Sequence, residues 1–161
     1  MEDKFLHFLE LGIGSRLKRL SGYIARETQI VYDEMKVDFD PYLFPIFKTI
    51  IDNQETTTSY IQEALRYTQP AITQAIGKLS KLGYVSSKID QNDGRKKLLY
   101  ITKKGEEVNM LLKPIWKVIN EEAKTLTQVS ANSLVDMLYE IELKLEAKSL
   151  SKRILSKLKN H

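Results

Sequence analysis

The sequence predicts a mainly α-helical protein with one small β-hairpin. Long stretches near both ends of the chain place apolar residues three and four positions apart, which is the spacing of one helix face. The middle holds two short helical patterns separated by a tight turn, and then two short strand-like runs around an Asp-Gly pair. The predicted order is therefore four helices, a hairpin and two further helices in one domain of 161 residues.

The first forty residues predict a long amphipathic helix. Its apolar face comprises Ile13, Leu17, Leu20, Ile24, Val31 and Met35. A second helix is predicted from Pro41 to Asp52, because proline is tolerated in a first helical turn. A polar connector, residues 53–58, follows. Ser59 and Gln62 then have the spacing of a capping box and predict a short third helix.

The fourth predicted helix begins only a few residues later. Thr68 or Gln69 can cap its start, Pro70 suits its first turn, and Gly83 can end it. Its apolar face comprises Ile72, Ala75, Ile76, Leu79 and Leu82. The turn before this helix, Arg66-Tyr67-Thr68, is too short for anything but a tight connection.

The remaining elements follow directly. Strands are predicted at Val85–Ile89 and Leu98–Thr102, and a helix from Lys103 to Leu126. A last helix is predicted to start near Ser130 or Ala131. Its apolar stripe comprises Leu134, Leu138, Ile141 and Leu145.

Two short helices, a tight turn and a hairpin are the pattern of a winged helix-turn-helix, whose second helix enters the DNA major groove. The outward face of that helix suits the task. Gln74 can pair with adenine, Thr73 or Ala71 can meet a thymine methyl, and Lys78 and Lys81 can reach phosphate or guanine. The same residues would also be unexceptional on a solvated helix.

Positive charge is concentrated in this region. Residues 66–104 hold nine basic and two acidic residues, hence +7, whereas the whole chain carries +4. Three cations, Arg95, Lys96 and Lys97, follow the hairpin tip, where a guanidinium could enter a minor groove and Asp90 or Asp93 could orient it. A polyanion partner explains this asymmetry. The alternative is an exposed hairpin protected from aggregation by its charge.

The stretch "YTQPAITQAIGKLSKLGYVSSKIDQNDGRKKLLYITKKG" resembles the core of MarR-type transcriptional regulators. It matches their wing pattern D-x-x-D-x-R, the Leu/Thr strand and the T-x-x-G that opens the next helix. The matching positions are Asp90, Asp93, Arg95, Leu98, Thr102 and Gly105. The resemblance implies a homodimer on a pseudo-palindromic operator, acting as a repressor. It also implies a DNA-binding lobe at residues 41–104 and dimerisation helices at 5–36 and 105–158.

The resemblance further implies that Gln69 to Lys78 read bases and that Arg95 enters the minor groove. The complete predicted DNA-binding set is Thr68, Gln69, Pro70, Ala71, Thr73, Gln74, Lys78, Lys81, Arg95, Lys96 and Lys97. Relatives often bind small aromatic or anionic effectors. The candidate lining of such a pocket is Tyr23, Tyr32, Phe39, Tyr42, Phe44, Phe47 and Trp116, although aromatic residues at helical spacing are also typical of an ordinary core.

Other classes of protein fit less well. The chain has no cysteine, and its two histidines, His7 and His161, are near opposite ends. With no phosphate-binding glycine loop either, we predict no catalytic site, metal or cofactor. The early acids and the lack of a long apolar run argue against a secretory signal and a membrane span, so a cytoplasmic protein is expected, and DNA binding would make it nucleoid-associated. The alternative function is a winged-helix module that binds protein without sequence-specific DNA binding.

Overall fold

The computed structural model describes residues 3–91, 93–128 and 133–159, and it divides into two units, residues 1–113 and 114–161. The helices are α1 (Ile13–Glu34), α2 (Phe44–Asn53), α3 (Thr58–Leu65), α4 (Gln69–Lys81), α5 (Lys103–Thr127), α6 (Leu134–Ala147) and α7 (Leu150–Leu158). The strands are β1 (Glu55–Thr56), β2 (Val85–Ile89) and β3 (Lys97–Ile101).

The N-terminal helix is shorter than predicted. It starts only at Ile13, and the residues before it form two 3₁₀ turns, Lys4–Leu6 and Leu9–Gly12. The Asp3 carboxylate accepts the backbone N–H of Phe5 at 3.1 Å, which starts the first turn. Leu9 adopts a φ of 44°, which an α-helix cannot contain. The prediction of one continuous helix is therefore wrong at its N-terminal end.

The second predicted helix is confirmed, with a 3₁₀ turn at Pro41–Leu43 leading into α2. The predicted cap of the third helix is wrong. Thr57, which has extended backbone dihedrals, accepts the backbone N–H of Tyr60 at 3.1 Å and caps α3. Ser59 lies inside the helix, because α3 begins at Thr58 and Thr57 already occupies the N-cap position.

The sheet has three antiparallel strands in the order β1-β3-β2. Strand β2 matches its prediction, and β3 is displaced by one residue towards the tip. Strand β1 was not predicted, because two residues are too few to show an alternating pattern. Its Thr56 pairs with Leu99, so β3 has a neighbour on both sides.

A chain of aromatic rings joins the elements of the first unit. Ring centroids are 5.8 Å apart for Tyr32 and Phe39, 5.3 Å for Phe39 and Phe47, and 6.2 Å for Phe47 and Tyr84. Aliphatic residues of α2, α3 and α4 are buried in the same unit, namely Ile46, Ile50, Ile61, Ile72 and Leu79. Burial of these side chains holds α3 and α4 in a fixed arrangement against α2.

Helix α5 is confirmed almost to the residue and contains Pro114 in its interior. Helix α6 is capped by Ser133, whose hydroxyl accepts the backbone N–H of Asp136 at 3.1 Å while the Asp136 carboxylate accepts the N–H of Ser133 at 3.3 Å. The predicted start at Ser130 or Ala131 lies outside the described residues. Helix α6 ends at Lys148, which has extended backbone dihedrals, and the chain then continues into α7.

Candidate nucleic-acid interface

The turn between α3 and α4 consists of three residues, as the sequence predicts. Arg66 ends α3 in the left-handed conformation, with φ 53° and ψ 30°. Thr68 returns to extended dihedrals and occupies the N-cap position of α4, although its hydroxyl makes no capping hydrogen bond. Pro70 lies in the first helical turn, where its missing N–H has no intrahelical partner to lose.

Helix α4 has one buried face and one exposed face. Ile72 and Leu79 are fully buried, and Ala75 is 8% exposed. At 100° per residue, the positions opposite this face are Pro70, Gln74, Gly77 and Lys81. The structure leaves all of the predicted DNA-binding side chains of α4 exposed. The helix can therefore present its outer face to a partner without unfolding.

Lys78 lies on the flank of this exposed face and has a partner within the chain. Its ammonium is 3.1 Å from the Asp40 carboxylate. The pair lies at a groove of about 300 Å³ beside α4. The groove is lined by Asp40, Tyr42, Leu43, Ile46, Tyr67, Ala71, Gln74, Ala75 and Lys78. Lys78, which was predicted to contact phosphate, is therefore ion-paired with Asp40 in the structure.

The C-terminal end of α4 is tied to the start of α5. Gly83 has a φ of +76°, and its carbonyl accepts the hydroxyl of Thr102 at 2.6 Å. The same hydroxyl accepts the backbone N–H of Gly105 at 3.0 Å. Lys104 donates to the carbonyl of Leu82 at 2.8 Å. The T-x-x-G motif, residues 102–105, thus forms a joint that fixes the end of α4 to the start of α5.

Gly105 is required by a close approach. A Cβ atom at this position would lie 2.1 Å from the carbonyl oxygen of Tyr84 and 2.7 Å from Cγ1 of Ile101. Burial raises the pKa of the Tyr84 phenol, whose hydroxyl donates to the carbonyl of Asp38 at 2.7 Å. At this joint, the backbone of Gly105 therefore lies directly against the backbone of Tyr84 and leaves no room for a side chain.

An ion pair connects the two outer strands of the sheet. Lys88 of β2 donates to the Glu55 carboxylate of β1. Its ammonium lies 5.8 Å from the ring centroid of Tyr100, which is on the central strand. The hydrogen bond to Glu55 raises the pKa of Lys88. This lysine therefore bridges β1 and β2 over β3.

The wing tip is organised by its own backbone. The backbone N–H of Asp90 donates to the carbonyl of Lys96 at 2.9 Å, and the backbone N–H of Lys96 donates to the carbonyl of Asp93 at 2.8 Å. The Asp93 carboxylate accepts the backbone N–H of Arg95 at 3.2 Å and lies 3.5 Å from the Lys96 ammonium. Asn92, part of the predicted tip, lies outside the described residues.

Arg95 itself is exposed, and its guanidinium makes no ion pair with any residue in the described part of the chain. The contact between Arg95 and Asp93, which was predicted to pair with the guanidinium and orient it, is made instead by the backbone N–H of Arg95. The ammonium that Asp93 neutralises belongs to Lys96. Arg95 and Lys97 are left as exposed cations at the wing.

Comparisons with known proteins agree with this geometry. A model of a winged helix DNA-binding domain family matches residues 44–110. A cysteine-to-serine variant of MarR from Escherichia coli, solved in complex with operator DNA, is similar with a TM-score of 0.62 and 18% identity, over 89% of this chain and 99% of that one. BldR from Sulfolobus solfataricus is similar with a TM-score of 0.61 and 20% identity, over 91% of this chain and 99% of that one. The comparison with curated proteins produced no match.

The chain has the MarR fold. A third structure with this fold, BpsR from Bordetella bronchiseptica, has a TM-score of 0.65 and 17% identity, covering 82% of this chain and 91% of that one. The DNA binding of BpsR is regulated by 6-hydroxynicotinic acid. The MarR-type fold predicted from the wing and T-x-x-G motifs is confirmed.

The residues predicted to line an effector pocket have different environments within this MarR fold. Tyr32, Phe39 and Phe47 are at most 2% exposed and belong to the aromatic core described above. Tyr23 and Tyr42 are 52% and 60% exposed. Phe44 is 38% exposed, and Trp116, in the second unit, is partly buried. Three of the seven thus act as core residues, and only Tyr42 lines the groove beside α4.

Two further observations concern the remaining predictions. Within residues 3–91, 93–128 and 133–159, no group of three or more His, Cys, Asp or Glu side chains is arranged to hold a metal ion. Among the helices formed by these same residues, none is long and apolar enough to span a bilayer.

Proposed function

We propose that this protein is a sequence-specific DNA-binding transcriptional regulator of the MarR type. The observation that carries the proposal is the division of α4 into a buried face and an exposed face bearing Gln74 and Lys81, next in the chain to a wing with an exposed Arg95. Helix α4 would enter the major groove and Arg95 the adjacent minor groove. The likeness to MarR in complex with operator DNA supports this assignment.

The regulator is proposed to act as a homodimer on a pseudo-palindromic operator. Helix α1 exposes an apolar stripe of Ile13, Leu17, Leu20 and Ile24, each at least 41% exposed. Helix α6, in the second unit, exposes Val135, Met137, Tyr139, Ile141, Leu143 and Leu145. Exposed apolar faces of this extent are typical of association surfaces. A second copy is the proposed occupant, since two half-sites about one helical turn apart are the usual requirement for tight specific binding.

Binding is proposed to repress transcription, with release by a small aromatic or anionic effector. The regulation of BpsR by 6-hydroxynicotinic acid supports the effector. The groove beside α4, at about 300 Å³, is at the lower end of the size range of small-molecule sites.

Selection of binding sites from a random DNA pool by the purified protein tests the proposal directly. We expect a pseudo-palindromic site with half-sites spaced by about one helical turn. Affinity for that site should fall steeply with salt, with a slope of roughly −0.9 for each phosphate contact. A pool that shows no enrichment, or binding that is flat between low and moderate salt, would contradict the proposal.

A further inference from the structure

Lys78 differs from the other lysine on the exposed face of α4. Its ammonium is 3.1 Å from the Asp40 carboxylate, whereas Lys81 makes no ion pair with any residue that the structure describes. Both lysines are exposed and lie within one turn of each other. The helix therefore carries one lysine that is available to an anion and one that is already engaged.

Asp40 is held in place independently of Lys78. Its Oδ1 accepts the backbone N–H of Tyr42 at 3.0 Å and caps the 3₁₀ turn Pro41–Leu43, which leaves Oδ2 for the lysine. The carboxylate is therefore oriented towards α4 by its own capping bond. It presents an anionic oxygen to Lys78 with the distance and charge that a DNA phosphate oxygen would have.

The pair remains open to solvent, because the side chains of Lys78 and Asp40 are 52% and 33% exposed. Exposed pairs of this kind exchange partners at low cost. Lys78 lies one helical turn after Gln74 and shares the groove with it. A duplex that reached Gln74 would therefore bring phosphates close to Lys78 and Asp40 together.

We propose that Asp40 is an intramolecular competitor for DNA, which holds the ammonium of Lys78 in the free protein and releases it to a backbone phosphate when α4 binds. The inference rests on the proposed DNA-binding function. Its consequence is an affinity set below the maximum that the cations of α4 allow. Asp40 thus weakens binding by occupying the ammonium of Lys78 in the free protein.

The test is the Asp40→Asn variant, which keeps an oxygen to accept the Tyr42 N–H but removes the charge. For the DNA site selected by the unmodified protein, we expect binding to tighten by about twofold to fivefold per subunit, the range of an exposed ion pair. The salt slope should steepen by up to roughly 0.9 per subunit, because Lys78 would then replace a counterion without giving up a partner. Asp40→Ser, which caps through its hydroxyl, should give the same gain.

Two controls separate this effect from a general change in charge. Asp52→Asn removes one carboxylate from the exposed Lys48–Asp52 pair of α2 and should change DNA affinity less than Asp40→Asn does. In a Lys78→Gln background, Asp40→Asn should lose most of its gain. Persistence of the full gain in that background, or an unchanged affinity and slope for Asp40→Asn with an unchanged melting temperature, would overturn the inference while leaving DNA binding intact. Failure of the unmodified protein to bind any duplex would overturn the proposed function as well.

Discussion

Gln74 and Lys81 are both exposed on α4, but their chemistry would give them different parts in the proposed DNA recognition. An amide can form two hydrogen bonds with adenine and so distinguish bases, whereas an ammonium on a flexible stem is a point charge that suits phosphate. Both side chains lie on the outer face of the helix, so exposure alone does not separate the two roles. A contrast between the two residues is therefore more informative than either substitution alone.

Gln74→Ala should relax sequence preference at one position in each half-site, at a cost of about 1–3 kcal/mol in discrimination. Lys81→Gln should instead weaken binding to specific and random DNA about equally and reduce the salt slope. Binding to a panel of single-base variants of the selected site measures both effects. Equal weakening of all sequences by Gln74→Ala would show that this residue does not read bases.

Arg95→Ala should weaken DNA binding and reduce the salt slope by roughly 0.9 per wing, with little change in melting temperature. The reason is that its guanidinium makes no ion pair among the described residues, so its removal leaves no buried charge behind. Arg95→Lys is the matched control, since it keeps the charge and loses the planar group. A large loss of thermal stability in Arg95→Ala would identify a structural role instead.

Arg66 tests the backbone of the turn. Arg66→Gly and Arg66→Ala remove the same side-chain interactions, so they differ in how well each residue accepts a φ of 53° and in the greater entropy that glycine loses on folding. We expect the glycine variant to be more stable by about 1 kcal/mol in denaturant unfolding, because a Cβ atom is disfavoured in the left-handed region. Equal stability of the two variants would show that this turn relaxes when the arginine is lost.

At the scale of the elements, the sequence predicts what regular spacing and turn chemistry can show. Helix α4, strand β2 and the end of α4 at Gly83 follow from apolar periodicity and glycine, and the structure confirms them. The elements that were missed depend on contacts distant in sequence or on a single dihedral. Strand β1 exists because Thr56 pairs with Leu99, and the start of α1 depends on the φ of Leu9.

For the candidate site too, the sequence predicted which residues are exposed but not which contacts they make within the chain. Residue type and spacing identified the exposed cations of α4 and the wing. They could not show that Asp40, 38 residues before Lys78, would pair with it, because that contact is created by the packing of the 3₁₀ turn against α4. They also could not show that Asp93 holds the backbone of Arg95 and the ammonium of Lys96.

The joint between α4 and α5 should be intolerant of any added atom at Gly105. Gly105→Ala should lower the free energy of unfolding by at least about 2 kcal/mol, since the backbone carbonyl of Tyr84 would have to move. Gly77→Ala is the control, because nothing lies within 4 Å of a Cβ there. That variant should stabilise α4 by about 0.5–1 kcal/mol. Similar unfolding curves for the two variants would mean that the joint is softer than its geometry indicates.

The whole molecule leaves much apolar surface exposed for a chain of 18.6 kDa. Isolated exposed leucines are ordinary, but the stripe on α1 repeats at helical spacing, and α6 exposes apolar residues along most of its length. The proposed second copy would remove both surfaces from water. The stability of the fold would then depend on protein concentration.

Sedimentation equilibrium should therefore give a mass near twice that of the chain, and the melting temperature should rise with protein concentration. Leu17→Glu should shift the protein towards monomer or lower its melting temperature. Ile89→Glu, which charges an apolar side chain on the wing that is 64% exposed, should leave the dimer intact. A monomer at micromolar concentration with a concentration-independent melting temperature would exclude the dimer.

The central position of β3 limits how the wing can be altered by engineering. Strand β1 lies directly before Thr57, the cap of α3, and it is hydrogen-bonded to β3. A chimaera that received only the hairpin of a relative, β2 and β3, would place the new β3 against the original β1, which lies about thirty residues upstream of the hairpin. Successful transplants should therefore carry residues 55–56 together with 85–101, and length changes should be tolerated only beyond the last paired residues, Ile89 and Lys97.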